Sequence, residues 1–153
     1  MPTTALLILD IQNFFIFSTA STLPHILRLI HHFRGHGLPV LFARHGHPPS
    51  DLVSPSPNPL VNKQGIAGSI AEGTEDWDLQ PEIASVVDEM RMGADGDEMK
   101  KPGSQSREAA DRRALFRDAW PVVHKTSYDA FVRTNLEEQL KRKGWGRWLF
   151  VGR

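Results

Sequence analysis

Apolar residues recur along the chain at two kinds of spacing, and each predicts a different element. Ala5-Leu6-Leu7-Ile8-Leu9 is unbroken and stops at Asp10, with Gln12 and Asn13 just beyond. A continuous run of this length fits a strand buried on both faces, as in a parallel sheet covered by helices. Leu23, Ile26, Leu27, Ile30 and Phe33 instead repeat at helical spacing. Thr22 or Ser21 can cap that helix, Pro24 fits its first turn, and Gly35 and Gly37 end it. Leu38–Ala43 is a second continuous run, so strand, helix and strand make a βαβ unit. Farther on, Ile83, Val86, Val87 and Met90 mark a helix over Pro81–Met90, and Trp120–His124 reads as a strand ending at Lys125. Leu136 and Leu140 mark another helix, opened by a Thr134/Glu137 capping box and closed by Gly144. Arg147–Val151 is the last strand.

Between these elements the periodicity fades. Ser50–Asp78 is rich in Pro, Ser, Asn and Gly, and an irregular connection this long is usually a lid, a substrate loop or disordered. Met92–Arg107 is charged and patternless, whereas Arg107–Asp118 carries helix formers and opposite charges that suit a solvated helix. A surface insertion is therefore expected from about Asp88 to Ala119, within one domain spanning residues 1–153.

Composition narrows the function classes. Lys plus Arg equals Asp plus Glu at 18 each, so no global field attracts nucleic acid or an anionic membrane. There is no cysteine, which removes disulfides, thiolate metal sites and a cysteine nucleophile. The N-terminal apolar run is too short for a signal peptide or a membrane span and lacks a basic flank, so a cytosolic location is the default expectation.

Chemistry concentrates at the strand ends. Ligands of open parallel sheets bind beyond the carboxyl ends of the strands, where Asp10 stands, although Asp10 can equally cap the turn there. Arg44-His45-Gly46-His47-Pro48-Pro49 leaves the second strand at the same edge. His45 and His47 either bind a metal or a polar substrate or face water in an exit loop. On the first helix His32 and His36 are four apart, a metal-binding spacing. No carboxylate nearby in sequence completes a site, and with His31 they read as a solvated face. The final strand has no later element to cover its open side.

Four segments, in order, resemble the isochorismatase-like hydrolases, a family that includes nicotinamidases and carbamoyl-amide hydrolases. They are Asp10-Ile11-Gln12-Asn13, Arg44-His45-Gly46-His47, Gly73–Ile83, and Val123–Phe131 around Lys125; Thr134–Gly152 is also similar. The resemblance implies an α/β fold, a doubly wound parallel sheet with helices on both faces, incomplete at the C-terminus. It also implies an Asp, Lys and Cys triad hydrolysing a small amide, with Asp taking the thiol proton and Lys stabilising negative charge. Asp10 and Lys125 match its first two members, and the chain stops before the position of the third, so the expectation is a shortened and inactive product.

The same resemblance places Gln12, Phe15, His45, His47 and Phe131 as substrate contacts, with core packing the other reading for Phe15 and Phe131. Phe14 stands where many members carry an acidic residue. The nicotinamidase zinc is held by Asp-x-His and a later His, and His45 replaces that Asp, so no metal and no cofactor is expected. Two other functions stay open. One is vinyl ether hydrolysis with Asp10 as general acid; the other is a non-catalytic fragment that joins full-length subunits, as expected of a family of homo-oligomers.

Overall fold

The computed structural model describes residues 4–98 and 121–152. Among them, β1 (Thr4–Leu9), β2 (Val40–His45), β3 (Val122–Lys125) and β4 (Arg147–Gly152) form one sheet in the order β3-β2-β1-β4, with every neighbouring pair parallel. The helices are α1 (Ile16–Thr19), α2 (Leu23–Gly35), α3 (Pro59–Gln64), α4 (Pro81–Glu98) and α5 (Leu136–Arg142).

The unbroken apolar runs follow from helices on both sides of this sheet. Leu6 and Ile8, with Val40, Phe42 and Val122, pack against Ile26, Ile30 and Phe33 of α2 and Ile83, Val86 and Val87 of α4. The alternate residues Ala5, Leu7, Leu41, Ala43 and Val123 face Leu136 and Leu140 of α5. Each Leu or Ile buried this way contributes about 1.5–3 kcal/mol, and none of the central positions can be polar without loss.

Strand order reverses at β1, since the chain builds outward through β2 and β3 and then crosses to β4 on the other side. The carboxyl end of β1 is therefore a topological switch point, the usual ligand crevice of open α/β sheets. Among the described residues β4 is an edge strand, as is β3, and Trp148, Leu149 and Phe150 of β4 are 39%, 42% and 46% exposed.

Several boundaries differ from those the pattern predicts. β2 starts two residues late because Leu38 belongs to the end of α2: its N–H donates to the Phe33 carbonyl past Gly37, which adopts φ +66°. The Ser50–Asp78 segment contains α3, capped by the Asn58 side chain and opened by Pro59, and is tied down by an Asn58 hub. α4 continues past Met90 to Glu98 without the break expected near Asp88. The capping box does not form: the Thr134 hydroxyl donates to the Ala130 carbonyl and accepts from Leu136 N–H, Asn135 is the cap residue, and Glu137 pairs with Lys141. The rest of the expected insertion, the Arg107–Asp118 helix and Trp120 lie outside the described residues.

Candidate functional site

Asp10 is the first residue beyond β1, and its backbone N–H still donates to Ala43, the last step of the ladder. There φ turns to +57°, a left-handed conformation that Asp tolerates better than most residues. Lys125 ends β3, two strands away from Asp10 across β2. Neighbouring strands are about 4.8 Å apart, so only a long side chain spans that gap. Lys125 Nζ reaches Asp10 Oδ2 at 2.8 Å. It also donates to the carbonyls of Ser127 (3.2 Å) and Tyr128 (3.3 Å), which occupies all three ammonium donors on a side chain that is only 1% exposed.

A cleft of about 380 Å³ opens over this pair, lined by Asp10, Phe14, Phe15, His45, Gln64, Gly68, Ile70 and Tyr128. It combines an anionic group with aromatic and aliphatic walls, the arrangement of a small-molecule pocket. Asp10, Lys125, Phe15 and His45 are thus brought together. Tyr128 and Ile70 were not singled out in the sequence; Tyr128 lies only three residues past Lys125, a proximity that could have flagged it, whereas Ile70 sits in the patternless loop.

Three expected contacts stand elsewhere. Gln12 is fully buried and holds backbone: its Nε2 donates to the carbonyls of His45 and Trp77, and its Oε1 accepts from His45 N–H, each at 2.8 Å. A side-chain amide mimics one rung of a sheet here and fixes the end of β2 beside β1. His47 lies behind His45, fully buried, with Asn58 Nδ2 at 3.3 Å and Asp51 Oδ2 at 3.8 Å from its Nδ1. Phe131 packs on Trp148 and Phe150 at ring distances of 5.6 and 6.1 Å. The far side of β2 is clamped as well: the Arg44 guanidinium lies 3.3 Å above the Trp77 ring, and Gly46 leaves the room that the ring needs.

Burial pushes the His45 imidazole down to about 4, helped by the positive charge of Lys125 and by His47. Burial lowers His47 too, against an opposing pull from Asp51. Both rings are therefore neutral at pH 7. What argues against a zinc site here is the Lys125 ammonium, whose positive charge already disfavours a cation at His45. Among the described residues no group of three or more His, Cys, Asp or Glu side chains is placed to hold a metal ion. No described helix is long and apolar enough to cross a membrane.

Comparison with known proteins agrees with this architecture. A curated nicotinamidase 3 of Arabidopsis thaliana is 27% identical over 148 residues, and the chain spans 58% of its length. Among solved structures, N-carbamoylsarcosine amidase of Thermoplasma acidophilum superposes with TM-score 0.63 at 21% identity, covering 98% of this chain and 67% of that one. A cysteine hydrolase of Pseudomonas syringae pv. phaseolicola gives TM-score 0.66 at 16% identity, covering 98% and 59%. The model of the isochorismatase domain matches residues 4–95, well over half of the sequence, and the chain accordingly belongs to the isochorismatase-like hydrolase family.

Proposed function

We propose that this chain keeps the binding cleft and the carboxylate–ammonium pair of a small-molecule amide hydrolase but does not itself turn over amides. The observation that carries this reading is Asp10 Oδ2 held 2.8 Å from Lys125 Nζ in the cleft of a polypeptide without cysteine. Asp10 is placed to take a proton from an incoming nucleophile, and Lys125 to stabilise charge developing beside it. A serviceable attacking sulfur is what the pair lacks. Cys-independent vinyl ether cleavage is less well supported, because it requires Asp10 to arrive protonated, whereas an ammonium at 2.8 Å favours the charged carboxylate.

The test is ammonia release from nicotinamide and loss of isochorismate, each followed with the purified chain and with Asp10→Ala. Neither reaction should rise above the buffer control. Ammonia release at enzyme-like rates, abolished by Asp10→Ala, would overturn the inactive reading, and Asp10-dependent loss of isochorismate alone would establish the ether reading. The exposed apolar residues of β4 support a second function, association with another subunit of the family through that edge. Co-elution of the two chains from a sizing column is expected under that reading, and separate elution at micromolar concentrations contradicts it.

A further inference from the structure

The solvent side of α2 carries a group the catalytic reading does not use. His32 and His36 are both exposed and one turn apart, and their rings lie 4.3 Å from centroid to centroid at 41°. Imidazoles at i and i+4 on a helix can converge on one cation. What the sequence could not reveal is the hydrogen bond that sets the His36 ring: its Nδ1 lies 2.8 Å from the His32 carbonyl. A carbonyl oxygen only accepts, so Nδ1 carries the hydrogen, and the lone pair of the neutral ring is on Nε2. An N–H···O=C bond of this kind fixes tautomer and ring orientation in metal-ligating histidines generally. The neighbouring cations on this helix are otherwise engaged: Arg28 bonds His25, and Arg34 pairs with Glu89 on α4.

We propose that His32 and His36 form a two-imidazole site for a borderline divalent cation such as Zn²⁺ or Cu²⁺, with water completing the coordination, which cross-links the last turn of α2. The solvated face expected of these residues is the face the structure shows, and the proposal gives two of its rings a ligand. The site is remote from the Asp10 cleft and independent of any activity there. Imidazole donors favour Cu²⁺ over Zn²⁺ and bind Mg²⁺ poorly, so affinity should follow that order.

The probe is ZnCl₂ alone, titrated calorimetrically into the full chain at pH 7.5, with CuSO₄ and MgCl₂ for comparison. One Zn²⁺ per chain is expected, and metal in excess should raise the melting temperature by about 3 °C. H32Q and H36Q should each weaken Zn²⁺ binding by about tenfold or more, since loss of a ligand costs at least what loss of its orienting partner does. Gln at position 36 can still donate to the His32 carbonyl, so H36Q separates ligation from capping. H31Q, one residue off the pair, should bind like the wild type. The proposal is overturned if H32Q and H36Q bind Zn²⁺ as tightly as the wild type, if H31Q loses as much as they do, or if the wild type binds no Zn²⁺.

Discussion

Acidification should destabilise this protein through one identifiable ring. His45 is 6% exposed, and its ordinary value of 6.5 falls to about 4 in the fold, first because burial disfavours the imidazolium and then because Lys125 and His47 repel it. The unfolded chain takes up a proton at this position below 6.5 and the folded chain does so only near 4, so stability is full above that range and falls as pH drops through it. A displacement from 6.5 to about 4 corresponds to a total on the order of 3 kcal/mol, of which roughly 2 kcal/mol is lost between pH 7 and pH 5. That is a large share of a domain stability of about 5–15 kcal/mol. His47 is shifted the same way by burial and adds to the effect. The assay is urea unfolding at half-unit steps from pH 7.5 to pH 5, on the wild type and on His45→Asn. The wild type should lose stability more steeply, and the difference between the two curves should grow by about 2 kcal/mol toward pH 5. Parallel curves, or an NMR titration of the His45 ring centred near its unperturbed value, would refute the reasoning.

Two further substitutions probe the supports of the site. Gln12→Ala strands the N–H and carbonyl of His45 and the Trp77 carbonyl in a buried setting, at a cost of about 3 kcal/mol or more in urea unfolding; a loss below about 1 kcal/mol would mean the amide is not what fixes the end of β2. Gly46→Ala would drive a Cβ into the edge of the Trp77 ring, so the ring must shift over the Arg44 guanidinium, and a loss of about 1–3 kcal/mol is expected. In a Trp77→Ala background the same change should cost clearly less, because the clashing partner is gone.

What could be read from the sequence and what could not divide along physical lines. The strands were legible because residues such as Leu6 and Leu7 are buried on opposite faces of one sheet, which leaves no room for polar alternation. Asp10 was legible at the ligand edge because it closes an apolar run, whereas its partnership with Lys125 was implied by the family resemblance; the shared edge of parallel strands is what brings the two within reach. Gln12 and His47 were placed near that edge correctly in the chain, but nothing in their spacing tells whether a polar side chain turns to a ligand or to backbone. Gln12 turns to His45 and Trp77, contacts separated from it by 33 and 65 residues. α3 was hidden in a Pro-rich segment, although Asn58-Pro59 is a recognisable helix start. The Thr134/Glu137 pattern failed because the helix starts one residue later than it requires: Asn135 is the cap residue, and the Thr134 hydroxyl accepts from Leu136 N–H instead of the Glu137 N–H.

The pairing of Asp10 with Lys125 across β2 is tested most directly by a double-mutant cycle in urea, built from Asp10→Asn, Lys125→Met and their combination. Each single change leaves one buried partner uncompensated, and Lys125→Met alone should cost about 3–5 kcal/mol. The double variant should recover part of that loss, giving a coupling of about 1–3 kcal/mol. Additive losses, with a coupling of zero within about 0.5 kcal/mol, would contradict the account.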